Sequence, residues 1–98
     1  LAGGSGSDWL YGDDGNDVVW GEGGDDRISG GDHDDQLIGG DGEDYLLGED
    51  GDDRLWGQDG NDELIGDDGD DRLSGGLGDD SIRGGAIDDY IWGGEGDY

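Results

Sequence analysis

Aliphatic side chains recur along this chain at a fixed interval of nine residues. The series begins at Leu10, Val19 and Ile28 and keeps the same spacing as far as Ile91. The three residues centred on each aliphatic predict a very short strand with one side chain pointing inward. The six residues before each strand are rich in glycine, which indicates a turn with positive φ angles or close backbone approach. Strand and turn alternate too quickly for a helix, so the pattern predicts an all-β chain.

The nine-residue unit repeats along the whole sequence. Counted from Gly3, ten full repeats occupy residues 3–92, and partial repeats occupy residues 1–2 and 93–98. A period of this length indicates a solenoid, in which each repeat buries its apolar residue against its neighbours. We therefore treat residues 1–98 as a single domain.

Four columns of the repeat are nearly uniform. Position one is Gly throughout, and position four is Gly except at His33 and Ile87. Position six is always aspartate, at Asp8, Asp17, Asp26, Asp35, Asp44, Asp53, Asp62, Asp71, Asp80 and Asp89. Position eight is always aliphatic, at Leu10, Val19, Ile28, Leu37, Leu46, Leu55, Leu64, Leu73, Ile82 and Ile91. The columns assign glycine to the turn, aspartate to its end and the aliphatic residue to the core.

The predicted fold is a right-handed parallel β-roll, a β-helix-like solenoid with two repeats in each coil. Alternate repeats then stack into two parallel sheets, and the position-eight side chains of both sheets meet in a thin core. With strands about 4.8 Å apart, the roll is expected to be roughly 26 Å long.

Composition narrows the possible partners. The chain has 30 acidic residues against 4 basic ones, a formal charge of −26 and 27 glycines. Without the repeat, this composition would describe a disordered chain. The negative charge disfavours nucleic acid, and no apolar run is long enough to span a membrane. The absence of cysteine excludes a disulfide scaffold but is compatible with an extracellular location. Acidic oxygen ligands suit a hard cation such as Ca²⁺.

The repeats resemble the RTX (repeats-in-toxin) nonapeptide, also called the haemolysin-type calcium-binding repeat, whose pattern is G-G-x-G-x-D-x-U-x with U a large aliphatic residue. The resemblance covers essentially all 98 residues. It implies a β-roll that binds multiple Ca²⁺ ions. It also implies a secreted, extracellular bacterial protein that leaves the cell unfolded through a type I secretion channel and folds where calcium is abundant.

The resemblance also implies the metal ligands. Each ion would lie between two turns on the same edge and would take backbone carbonyls and the position-six Asp from both turns. Asp53 and Asp71 would share one ion, and Asp44 and Asp62 another. The implied metal residues are the ten position-six aspartates, the position-four glycines Gly6, Gly15, Gly24, Gly42, Gly51, Gly60 and Gly69, and the position-one glycines Gly21, Gly30, Gly39, Gly48, Gly57, Gly66, Gly75 and Gly84. Eight pairs have both aspartates, and a ninth would need an Asp where Tyr98 stands, so eight or nine ions are expected.

The fold is expected to need this metal. About ten aliphatic side chains form a thin core for 98 residues. Position-six aspartates one rung apart, about 5 Å, also repel each other. Bound Ca²⁺ would reverse that repulsion, so that its binding free energy becomes folding free energy.

His33 and Ile87 depart from the repeat at position four. Either His33 is a metal ligand, or the carbonyl ligand is retained at a conformational cost; in both cases these turns are the expected weak sites. The remaining acidic residues are interpreted as a solvated face, in which some could form a secondary shell. Arg27, Arg54 and Arg72 are expected to screen neighbouring carboxylates, and an anion site is the less favoured alternative.

Trp20, Trp56 and Trp92 occupy position nine of alternate repeats, which predicts an aromatic stripe on the outside of one sheet. The stripe is either a surface for a protein partner or self-association, or an expression of β-propensity. The chain ends allow two interpretations, a fragment of a longer protein or a unit that stacks end to end.

No enzyme is expected, because a single His, no Cys and no Lys leave no catalytic constellation. Ice binding is disfavoured because the chain has no Thr. Two hypotheses remain: a calcium-triggered folding module of a secreted protein, and a calcium-stabilised structural or adhesive subunit that forms fibres.

Overall fold

The structure is a computed structural model that describes residues 1–94. Within this range it contains strands and no helix, and hence no helix long and apolar enough to cross a bilayer. The strands are β1 Ala2–Gly4, β2 Trp9–Asp13, β3 Val18–Gly23, β4 Arg27–Gly31, β5 Gln36–Asp41, β6 Tyr45–Asp50, β7 Arg54–Asp59, β8 Glu63–Asp68, β9 Arg72–Leu77, β10 Ser81–Gly85 and β11 Tyr90–Trp92. The all-β prediction is confirmed.

Alternate strands form two sheets, as the two-repeat coil requires. The odd-numbered strands make a six-stranded sheet in the order β1-β3-β5-β7-β9-β11, and the even-numbered strands make a five-stranded sheet. All neighbouring strands are parallel. Leu37 pairs with Leu55 and Leu46 with Leu64, so each residue lies beside the residue 18 positions later. The predicted β-roll, with two repeats per coil, is confirmed.

The strands are longer than the sequence pattern predicts. β7 runs over six residues, from position seven of one repeat to position three of the next, and most of the inner strands do the same. The parallel ladder therefore continues through positions one to three, which the sequence assigned to the turn. Only positions four to six form the turn itself.

The core is a single row of aliphatic residues from each sheet. The position-eight side chains from Leu10 to Leu73 are buried, and Ile82 packs partly buried against them. Ile91 is 47% exposed, so the expectation of ten buried aliphatics is wrong at the carboxyl-terminal end of the described chain. The described part measures 28 × 27 × 12 Å, a flattened roll whose thinness reflects this single layer of core residues.

Candidate calcium-binding turns

Glycine at position one provides space for the aspartate of its own repeat. A Cβ atom on Gly48 would lie 2.5 Å from Oδ2 of Asp53 and 2.8 Å from the carbonyl oxygen of Gly66. The φ angle of Gly48 is not in the positive range, so the requirement is steric. The same arrangement occurs at Gly21, where a Cβ would lie 2.5 Å from Oδ2 of Asp26. The structure thus brings together the position-one glycines and the position-six aspartates that the sequence predicts as metal residues.

One carboxylate oxygen of each position-six aspartate from Asp26 to Asp89 accepts a hydrogen bond that holds the adjacent coil in register. The amide N–H of Asp53 donates to Oδ1 of Asp71 at 2.8 Å, and the amide of Asp35 donates to Oδ1 of Asp53 at 2.7 Å. Eight such bonds, of 2.7–3.0 Å, link aspartates 18 residues apart from Asp8 to Asp89. Every pair of aspartates that the sequence predicted to share an ion, within residues 1–94, is therefore in contact.

The second carboxylate oxygen has no partner. Oδ2 is buried and makes no hydrogen bond in nine position-six aspartates, namely Asp8, Asp17, Asp26, Asp35, Asp44, Asp53, Asp62, Asp71 and Asp80. A buried carboxylate oxygen without a donor or a cation is costly. This arrangement recurs in nine successive repeats and leaves a regular row of oxygens suited to a cation along each edge.

The same burial changes the acidity of these groups. Loss of solvation raises the pKa of Asp53 and of Asp62 to about 7, although the backbone hydrogen bond to each carboxylate acts in the opposite direction. Burial also raises the pKa of Asp44 and of Asp71 to about 6. Negative charge on neighbouring aspartates adds to the increase. The row is thus a place where negative charge is unfavourable unless a cation compensates it.

The turn is shaped by two residues in the left-handed conformation. Every residue at position two and every residue at position four, within residues 1–94, has a φ between 72° and 118°. Position two accepts non-glycine residues here, including Glu49 and Gln58. At position four, His33 has a φ of 81° and Ile87 a φ of 74°, so the predicted conformational cost at these turns is present.

The side chain of His33 is used within the roll. Its Nδ1 atom accepts a hydrogen bond of 3.3 Å from the amide of Gly15, the position-four residue of the preceding repeat on that edge. In residues 1–94 no cluster of three or more His, Asp or Glu side chains has a geometry that could hold a metal. A cation site in these turns would therefore combine two carboxylates with backbone carbonyls.

A second ladder, at position five, was missed by sequence reasoning. The amide of Asp70 donates to Oδ1 of Asp52 at 2.9 Å, and the amide of Asp52 donates to Oδ1 of Asp34 at 2.8 Å. Six such bonds occur among the described residues, and they run in the opposite direction to the position-six ladder. The signal was the recurrence of Asp or Asn at position five, which the sequence analysis took for a solvated face.

The arginines do not form ion pairs with the carboxylates. Among residues 1–94, no acidic group lies within ion-pair distance of Arg27, Arg54 or Arg72. Arg27 lies instead over the ring of Trp9, 5.3 Å from the ring centroid. The arginines nevertheless border the grooves that are lined by position-five and position-six aspartates, so their screening of neighbouring carboxylates stays a prediction.

Comparison with known families agrees with this geometry. The chain matches the family model described as "RTX calcium-binding nonapeptide repeat (4 copies)" over residues 2–37, 29–64 and 65–98. The chain belongs to the RTX calcium-binding repeat family. Neither a curated protein nor a solved structure gives a significant match. The RTX repeat β-roll is a structural calcium-binding module, and its buried Oδ2 row is the feature of this chain that fits the metal.

Proposed function

We propose that this RTX chain is a calcium-dependent folding module that binds eight or nine Ca²⁺ ions. Each ion would be held by two position-six aspartates 18 residues apart. Backbone carbonyls from positions one to four of the repeats, including those of Gly48 and Gly51, would supply the remaining ligands. Eight aspartate pairs lie in the described residues; the ninth turn, ending at Tyr98, lies outside them. Nine ions would reduce the formal charge of −26 to about −8.

One observation carries this proposal: nine buried Oδ2 atoms have no hydrogen-bond partner. Calcium prefers six to eight oxygen ligands from carboxylates and carbonyls, which a glycine-rich turn supplies. Without a cation, adjacent buried carboxylates destabilise the roll, so folding and binding would occur together. A module of this kind would stay unfolded at cytosolic calcium and fold after type I secretion into an extracellular medium, and it would have no catalytic role.

The test is a far-UV circular dichroism titration with CaCl₂ and, separately, with MgCl₂, starting from protein in EDTA. A cooperative transition from coil to strand with Ca²⁺ only supports the proposal, because Mg²⁺ demands octahedral geometry and gives up its waters reluctantly. Full strand signal in EDTA would contradict it. Isothermal titration calorimetry on the same sample counts the ions.

A second candidate is a calcium-stabilised structural subunit that self-associates. Trp20 is 45% exposed and Trp92 is 64% exposed, and exposed aromatics in one row can serve as an association surface. Association through the Trp20, Trp56 and Trp92 surface or through the chain ends would raise light scattering in step with the calcium transition. Constant scattering would reject this candidate.

A further inference from the structure

The outer surface of the odd-strand sheet carries side chains at positions seven and nine of β3, β5, β7, β9 and β11; we call it the odd-strand face. In strand order these are Val18 and Trp20, Gln36 and Ile38, Arg54 and Trp56, Arg72 and Ser74, and Tyr90 and Trp92. The face has two arginines and no acidic residue, although the chain has 30 acidic residues. The acidic residues of these strands lie at positions two and three, and on the two strands that carry the arginines position two is Gln58 and Gly76.

Arg54 and Arg72 lie directly opposite each other on neighbouring strands. Like charges in such a cross-strand pair are destabilising. Neither arginine makes an ion pair with an acidic group of residues 1–94, although both also border the aspartate-lined groove at the adjoining edge of the roll. Two neighbouring guanidinium groups that are not held in ion pairs are a suitable binding site for an anionic group of a partner.

The two arginines border a cleft of about 180 Å³. Its lining includes Ser74, the one small residue at position nine of β3, β5, β7, β9 and β11, and Trp56 and Trp92 on either side of it. Since strands are about 4.8 Å apart, the two tryptophans are about 10 Å apart, with only the serine between them. This gap has room for one ring, and Tyr90 adds a further aromatic group at the same end.

We propose that the odd-strand face binds an extended acidic polysaccharide and that the cleft over Ser74 takes one uronic acid ring of that chain. A pyranose ring has apolar faces that pack between aromatic rings, and its carboxylate would accept hydrogen bonds from Arg54 and Arg72. An extended β-linked glycan advances by about one strand spacing per sugar, so its axis follows the row of strands. Trp20, two strands beyond Trp56, continues the aromatic platform.

A cleft of similar size on the opposite sheet lacks these properties. It lies over Ser29, but Glu49 lines it, and the guanidinium group of Arg27 already lies over Trp9. A second copy of the chain is also a poorer occupant of the odd-strand face. A two-fold pairing of identical faces with its axis beside Arg54 and Arg72 would place arginines against arginines.

The experiment is a calorimetric titration of the calcium-loaded full chain with a hyaluronan hexasaccharide, which carries a carboxylate on alternate sugars, and with cellohexaose as the neutral oligomer of equal length. Hyaluronan should bind more tightly than cellohexaose and more weakly as salt is raised. Arg54→Gln/Arg72→Gln should weaken binding at least about tenfold, the loss of one charge-assisted hydrogen bond. Ser74→Trp, which fills the cleft and keeps both charges, should abolish it.

The matched controls are Arg27→Gln/Arg83→Gln and Ser29→Trp, which make the same changes on the other sheet and should leave binding unchanged. Circular dichroism of every variant in calcium verifies the fold, so that loss of the roll and loss of the glycan are distinguished. Equal binding of cellohexaose, insensitivity to the Arg54 and Arg72 changes, or greater loss in Ser29→Trp would each overturn the proposal. The proposal would also be overturned if neither oligosaccharide binds and the parent chain shows concentration-dependent sedimentation that Ser74→Trp abolishes. The face would then be assigned to self-association.

Discussion

The amide of Asp53 donates a hydrogen bond of 2.8 Å to Oδ1 of Asp71, while Oδ2 of each residue is buried without a partner. The two oxygens of one carboxylate thus have separate roles. Oδ1 fixes the register between coils, and Oδ2 would bind the proposed cation. In the proposed calcium-bound roll, register and metal binding would therefore depend on the same side chain, which accounts for the aspartate at position six of all ten full repeats.

Asp53→Asn should separate these two roles. The amide oxygen of asparagine can still accept the N–H of Asp35, which donates to Oδ1 of Asp53 at 2.7 Å, but the charge at Oδ2 is lost. Because Asp53 would serve the ions shared with Asp35 and with Asp71, we expect up to two fewer calcium ions and a calcium midpoint raised by about tenfold. Calorimetry and circular dichroism measure the two effects.

Asp68→Asn is the matched control, since it removes the same charge from an exposed position-three residue at the end of β8. Its midpoint should stay close to that of the parent chain. Equal shifts for the two variants would show that only total charge matters, and the assignment of Asp53 as a ligand would then be wrong.

Much of the fold follows from the sequence because the most uniform positions of the nine-residue repeat each have one structural role. The spacing of Leu46, Leu55 and Leu64 predicts the two sheets, their parallel pairing and the core. The full length of the strands was not predictable from pattern, because residues such as Gln58 pair in the ladder while adopting a φ of 77°. Likewise, the position-five ladder uses exposed side chains such as Asp52, whose polarity is equally compatible with simple solvation.

Gly48→Ala should be strongly destabilising. The new Cβ would lie 2.5 Å from Oδ2 of Asp53 and 2.8 Å from a backbone oxygen, and neither atom can move without disturbing the coil. Overpacking of this kind costs about 1–3 kcal/mol. Gly23→Ala is the control, because a Cβ there meets nothing within 4 Å and its φ is not in the positive range. Urea unfolding in saturating calcium should show a large loss for Gly48→Ala and a change within about 0.5 kcal/mol for Gly23→Ala; similar losses would contradict the steric account.

Ile87→Gly should stabilise the calcium-bound roll. Ile87 is a β-branched residue at a φ of 74° and is 70% exposed, so the substitution relieves backbone strain and sacrifices little burial. Strain of this kind costs about 1–2 kcal/mol, part of which is offset by the greater freedom of glycine in the unfolded chain. We expect the free energy of unfolding, measured by heat or urea, to increase by about 1 kcal/mol.

His33→Gly should increase the free energy of unfolding by less, because it loses the hydrogen bond from Gly15. A destabilised Ile87→Gly variant would mean that this side chain makes a contribution that its exposure does not reveal.

The pH dependence of folding should reverse when calcium is removed. In the metal-free roll, burial raises the pKa of Asp53 and of Asp62 from 3.8 to about 7, so the folded state binds protons that the unfolded chain releases. Their contribution to stability is present below about pH 4 and is lost as the pH rises through about 7. Strand content in EDTA should therefore increase on acidification from about pH 8 to about pH 5, whereas calcium binding should weaken over the same range because protons compete for Oδ2. Circular dichroism at several pH values, with EDTA and with CaCl₂, measures both trends.

Asp53→Asn/Asp62→Asn should flatten the pH response of the strand signal near pH 7 in EDTA. Asp50→Asn/Asp68→Asn, which makes the same charge change at exposed positions, should retain that response. A strand signal in EDTA that does not change with pH would contradict the burial of these carboxylates in the metal-free chain.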